Sequence, residues 1–325
     1  MRKKILILTP FSPKFVGGAE TFCKDLHNEA IKKIDVRIVT LERQFEDWDN
    51  PGLLQCFTIF VELTFRALLL RRKFKYETVH CLGIIGTATG AVLKKLFKVK
   101  LLSTTLAIYG FEKWPFLKYT CASFIMGHSD IVYVEDSIGE QDIYKLGFSV
   151  RKQDVKKFMH WVDLFKLSPP LTRDKKENEL DVLFVGRPIR KKGMHIIQFV
   201  QERLSHLKGL RFHYVTDISY EDLQSYYQMA DVLVVPSLYN EGVARVVIEG
   251  CSAGLAVVAS ARGSLPGLVE PFGMICGIPE TYTFEKAIEK LYNDKCQLLS
   301  MKVKARNYAL LNFSNKNAEV FFEEY

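Results

Sequence analysis

Residues 231–260 read DVLVVPSLYNEGVARVVIEGCSAGLAVVAS, and the fold class follows from this stretch. Its first part, DVLVVPS, is an unbroken aliphatic run closed by Pro236, as expected of a strand buried on both faces of a parallel sheet. GVARVVIEGCSAG then places Val243, Val246, Val247 and Ile248 where a helix would pack on that sheet, and LAVVAS is a second aliphatic strand. Strand, helix, strand at this pace is the crossover unit of a parallel α/β sheet. Two glutamates, Glu241 and Glu249, bracket the apolar residues. Packing alone gives a buried helix no use for either, so both are candidates for chemistry.

The same alternation extends in both directions. Upstream, KKILILTP, DVRIVTL, YETVHCLG, KLLSTTLA, DIVYVED and DVKKFMHWV read as strands, with helical patterns in AETFCKDLHNEAIKK and TATGAVLKKLFK. Between Phe165 and Leu180 the chain reads FKLSPPLTRDKKENEL, two prolines and a charged run that mark a linker. Beyond it the pattern restarts with DVLFVG, GMHIIQFVQERL, RFHYVTD and YEDLQSYYQMA. The expected architecture is two Rossmann-like, doubly wound parallel-sheet domains, residues 1–166 and 167–312. A chain of 325 residues fits that number of domains.

Composition narrows the classes. Hydrophobic residues make up 48% and charged residues 25%, the balance of a globular protein rather than a disordered one. The seven cysteines are scattered without a C-x-x-C pair, which argues against a disulfide framework or a zinc site and suits a reducing cytoplasm. The apolar run in ILILTPFSP is too short for a signal peptide core. Residues 1–166 carry 26 basic and 18 acidic side chains and the remainder 19 of each, so the whole net charge of +8 belongs to the first half. That asymmetry suits an anionic partner, such as a membrane surface, or simply a basic exterior. No nucleic-acid motif accompanies it, and no nucleic acid is expected as a partner. Residues 53–75 combine apolar residues with RRKFK, and LKKLFKVK adds four lysines. The stretch reads as a crossover helix buried against the sheet with a basic exposed end, or as a surface that rests on anionic lipid.

In open α/β sheets ligands bind beyond the carboxyl ends of the strands. Gly17 and Gly18 stand between the first strand and first helix, where paired glycines allow close approach of a ligand; a plain flexible loop is the other reading. Gly186, Arg187 and Lys192, in FVGRPIRKKG, put two cations at the mouth of the second sheet, suited to a diphosphate or to solvent. Glu241 precedes a helix expected to begin near Gly242–Val243, so that the N–H groups of Gly242, Val243 and Ala244 would face the same ligand. Glu249 lies two turns on. The acidic EDWDN, residues 46–50, reads as a solvated loop rather than a metal clasp.

Together GGAE, VHCLG, HWVDLFK, FVGRPIRKKG, YYQMADVLVVPS, EGVARVVIEGCSAGLAVVAS and FSNKNAEVFFEEY resemble glycosyltransferase family 4, retaining enzymes of the GT-B fold, over nearly the whole chain. The E-x7-E spacing and the FVGR…KG pair are the most specific parts. The resemblance implies two domains facing a central cleft and a helix from about Phe313 to 325 crossing back to the first domain. It implies that Arg187 and Lys192 hold a donor diphosphate, that Glu241 meets the transferred sugar and Glu249 the ribose, and that Gly18 lets the first domain close on the phosphates. The donor is then a nucleotide-diphosphate sugar, UDP or GDP most commonly, bound without metal or cofactor. The acceptor, a glycan or lipid-linked molecule, sits on the N-terminal domain. Retention is usually described as attack from the leaving-group face, fixed cations stabilising the departing diphosphate. Such an enzyme works in the cytoplasm or peripherally at the inner face of the membrane.

Two positions depart from the family pattern. Leu106 stands where many relatives carry a histidine, and leucine cannot bond a sugar hydroxyl; Gly267 stands where they commonly place a glutamate. His80 and His160 read as packing and loop residues, not substitutes. Leu106 therefore keeps a second class open, a non-catalytic GT-B protein that binds a sugar or a partner. A nucleotide-sugar epimerase is unsupported, because its chemistry needs acid/base carboxylates and a histidine in the cleft and this motif set differs; a dehydrogenase is disfavoured because no G-x-G-x-x-G opens either domain.

Overall fold

The computed structural model describes residues 2–43, 52–106, 116–145, 154–170, 179–216, 218 and 220–325. It divides into two compact units, Met1–Phe158 with Ala318–Tyr325, and Met159–Asn317. In the first, β1 (Lys4–Leu8), β2 (Asp35–Val39), β3 (Thr78–Leu82), β4 (Lys100–Thr104), β5 (Ile131–Val134) and β6 (Val155–Lys157) form one sheet in the order β2-β1-β3-β4-β5-β6. Every pairing is parallel. β1, β3 and β5 are almost wholly buried, which is why they read as continuous aliphatic runs. Helices α1 (Gly18–Ala30), α2 (Leu53–Lys73), α3 (Ile84–Phe97), α4 (Phe116–Met126) and α5 (Ser137–Lys145) connect the strands.

The second unit repeats the plan with β7 (Leu180–Val185), β8 (Leu210–Val215), β9 (Val232–Val235), β10 (Ala256–Ser260) and β11 (Met274–Cys276), ordered β11-β10-β9-β7-β8 and again all parallel. Its helices are α6 (Met194–Arg203), α7 (Tyr220–Met229), α8 (Arg245–Ser252), α9 (Leu265–Val269), α10 (Thr281–Asn293) and α11 (Lys295–Asn312). Two apolar cores lie on opposite faces of this sheet. One gathers Leu233, Val247, Ile248 and Phe272 with Ala305 of α11, the other Val232, Val234, Ile197 and Phe284.

The units divide at residue 158 rather than 166, and the return to the first unit falls at Ala318 rather than 313. The cause is local. Trp161, Val162 and Leu167 are buried; Val162 and Leu167 pack in the second unit's core, Val162 N–H donates to Phe313 O (3.1 Å), and Arg306 caps Leu164 O (3.1 Å). Residues 318–325, including the short α12 (Glu319–Phe322), pack on the first sheet. Phe321 is buried against Phe22, Phe158, Tyr133 and His80. His80, wholly buried, bonds Thr104 Oγ1 through Nε2 (2.7 Å) and the Tyr325 hydroxyl through Nδ1. Burial holds its pKa down to about 3, so it stays neutral and structural.

Helix α2 departs from the buried crossover expected of it. Only Ile59, Leu63 and Ala67 are buried, and most of its large apolar residues face outward. By length and composition it is also the one helix among the described residues apolar enough to cross a membrane.

Candidate functional site

The second sheet reverses direction between β7 and β9: the chain goes from β7 to β8 on one side, then returns to pair β9 on the other. Ligand crevices of parallel sheets form at such switch points, off the carboxyl ends of the strands. The loops that leave these two strands are bound tightly to one another. Gly193 adopts φ 76°, and a Cβ there would lie 2.0 Å from the carbonyl oxygen of Pro236, so no side chain fits. Leu238 N–H donates to Lys191 O (2.8 Å). The 3-10 turn Arg190–Lys192 is thereby pressed onto the segment that follows β9.

That contact delivers Lys192 to Glu241. Lys192 Nζ donates to Glu241 Oε1 at 2.7 Å and lies 5.1 Å from the centre of the Tyr239 ring. Ser237 Oγ also donates to Oε1 (2.5 Å), and the Tyr239 hydroxyl to Oε2 (2.8 Å). Glu241 is buried, and these three donors satisfy the side-chain oxygens that burial removes from water. A third loop fixes its backbone. Gly263, with φ 57°, comes so close that a Cβ would lie 2.1 Å from Glu241 O, and Ser264 N–H donates to that same oxygen (2.9 Å). Loops after β7, β9 and β10 thus converge on one carboxylate–ammonium pair. An ammonium has three donors and Glu241 takes one, so the pair can offer both acceptors and donors to a polar ligand.

Glu249 sits on α8 and is also buried. Its Oε1 accepts from Arg245 Nε (3.0 Å), one turn back on the same helix, and its Oε2 from the Tyr227 hydroxyl (2.9 Å) on α7. Helix α8 opens at Arg245, not near Gly242–Val243, because Ala244 keeps an extended backbone. Gly242, Val243 and Ala244 therefore lie in the loop joining Glu241 to the helix, not in its first turn.

Other candidates fall as follows. Gly186 follows β7, its N–H bonded to Val215 O (3.1 Å), and Arg187 beside it is exposed, its guanidinium making no hydrogen bond or ion pair among the described residues. Gly17 and Gly18 open α1 in the other unit, with Glu20 in its first turn. Leu106 is buried in that unit. Gly267 is exposed on α9 with open space around it. The EDWDN stretch lies outside the described residues, as do Ile108–Trp114 after β4. Among the described residues no three His, Cys, Asp or Glu side chains are grouped to hold a metal. Sequence reasoning missed Ser237, Tyr239, Tyr227 and Arg245. The first two lie within the PSLYNEG segment, and their only signal was proximity to Glu241.

Residues 198–309 match the family described as Glycosyl transferases group 1. Spore coat protein SA of Bacillus subtilis is 28% identical over 186 residues, which cover 44% of this chain and 49% of that protein, about half its length. Among solved structures, sucrose-phosphate synthase from Thermosynechococcus elongatus superposes with a TM-score of 0.78 at 18% identity, covering 100% of this chain and 98% of that one. Anabaena HepE in complex with UDP and glucose does so with a TM-score of 0.75 at 15% identity, covering 100% and 99%. The chain is thus a two-domain α/β protein of the GT-B fold whose residues 198–309 match the glycosyl transferases group 1 family.

Proposed function

We propose that the protein is a retaining, metal-independent glycosyltransferase that moves a hexose from a nucleotide-diphosphate sugar to a glycan or lipid-linked acceptor on the cytoplasmic side of a membrane. The observation that carries this reading is the Lys192–Glu241 pair at 2.7 Å, held by three loops at the switch point of the second sheet. In the proposed complex Lys192 and the exposed Arg187 turn to the diphosphate, taking up the charge of the leaving group as the glycosidic bond breaks. Glu241, released from Lys192 but still held by Ser237 and Tyr239, accepts from hydroxyls of the sugar. Glu249 accepts from the ribose, and Gly186 allows the backbone near the phosphates. The UDP and UDP-glucose bound by HepE, and the ADP bound by a starch synthase of the same fold, favour a nucleotide-sugar donor.

The test is thermal shift with a panel of UDP-, GDP- and ADP-sugars. The variant matters, because Glu249→Ala would leave Arg245 buried opposite a void, at a cost of about 3–5 kcal/mol to the fold. Glu249→Gln preserves the shape. One donor should raise the midpoint of the wild type, and Glu249→Gln should weaken that shift. No response to any donor would remove the reading. The buried Leu106 favours a second one, a sugar- or partner-binding protein without turnover. Release of nucleotide diphosphate from the stabilising donor separates the two.

A further inference from the structure

Helix α2 carries two ridges of residues spaced four apart, and they face opposite ways. Ile59, Leu63 and Ala67 are fully buried in a core with Leu6, Leu8, Val79 and Leu93. Leu53, Phe57, Val61, Phe65 and Leu69 form the second ridge and are 44–74% exposed, with Leu54 beside them at 81%. Each step of four turns the direction by about 40°, so Phe57, Val61 and Phe65 share one side of the helix over about 12 Å, with Leu53 and Leu69 at its margins. Single exposed apolar residues are ordinary, but a continuous row marks a docking surface.

The charges around the row point to its partner. Glu62, on its flank, is neutralised by Arg66 (3.1 Å) and Arg43 (3.2 Å). The last turn is basic; Arg71 folds inward over Tyr76 and Phe97, whereas Arg72 and Lys73 stay exposed. The first turn has no acidic residue. A second copy of the chain packed parallel would set Arg72 and Lys73 against their own counterparts. An anionic bilayer offers both what the ridge needs and what the basic end needs. We infer that α2 lies in the plane of an anionic membrane, with Phe57, Val61 and Phe65 among the acyl chains and Arg72 and Lys73 at the lipid phosphates. It lies on the bilayer and does not span it, since spanning would strip Ile59, Leu63 and Ala67 from the core. The inference is independent of the donor site, which lies in the other unit.

The full chain would be sedimented with vesicles of phosphatidylcholine alone and of phosphatidylcholine mixed with phosphatidylglycerol, across a salt series. Binding is expected to the mixed vesicles only, to weaken with salt, and to be released by alkaline carbonate. Phe57→Ser with Phe65→Ser should abolish it, and Arg72→Gln and Lys73→Gln should each reduce it about fivefold. All these sites are exposed, so circular dichroism and the donor-induced thermal shift should match wild type. Binding that the variants leave unchanged would overturn the inference, as would equal binding to neutral vesicles or resistance to carbonate. So would absence of binding together with a dimer in solution that Phe57→Ser and Phe65→Ser dissociate, which would assign the ridge to a second copy.

Discussion

Tyr227 reaches Glu249 from a different helix, and with Arg245 it occupies both oxygens of a carboxylate that the family resemblance places near a ribose. The ring is fully buried, so Tyr227→Phe removes the hydroxyl and nothing else. Leaving a buried acceptor short of a donor costs about 1–3 kcal/mol, readable as a lower urea midpoint at unchanged slope. If Glu249 meets the donor, the same variant should raise the donor KM and leave kcat nearly as it was, because it loosens binding common to ground and transition states. An equal fall in kcat would place Tyr227 closer to the chemistry. Glu241 and Lys192 could be singled out from the sequence because each stands in a loop after an aliphatic strand and directly before a glycine, Gly242 and Gly193. Ser237, Tyr239 and Arg245 could not. What depends on Gly193 and Gly263 bringing three loops within contact is the meeting of Lys192 with the Ser237–Glu241 loop, and no spacing along the chain encodes that.

At the level of elements, strands and their order of succession were legible because parallel strands buried on both faces leave unbroken aliphatic runs. Helix α8 was begun two to three residues early, since Gly242–Ala244 is as small and apolar as the helix it precedes. The orientation of α2 was not legible at all: two apolar ridges satisfy the same periodicity whichever of them meets the sheet. Helix α3 illustrates how closely elements can be packed here. A Cβ on Gly86 would lie 2.8 Å from the backbone oxygen of Leu8, which cannot yield as a side chain would. Gly86→Ala should therefore destabilise the first unit by about 1–3 kcal/mol. Gly267 on α9 has nothing within 4 Å, and Gly267→Ala should instead stabilise by about 0.5–1 kcal/mol. Thermal denaturation of the two variants beside the wild type would show opposite shifts.

The molecule as a whole is two units joined by a chain that crosses between them twice, at 158–159 and 317–318. A single unfolding free energy does not describe such a protein, and calorimetry should resolve two transitions. Phe321 belongs to the first core although it follows the whole of the second unit in sequence. Phe321→Ala should lower only one of the two transitions, by about 3–5 kcal/mol; a parallel fall in both would mean that the units melt together. Glu324 closes the same segment with ion pairs to Lys100 (2.6 Å) and Lys156 (2.5 Å), which hold its carboxyl below the usual range. The late return has a consequence during synthesis. A ribosome releases residues 1–158 first, yet Phe22, Tyr133 and Phe158 keep an open face until 318–325 emerge. The half made first is thus completed last, and throughout elongation of the second half it offers that face to chaperones.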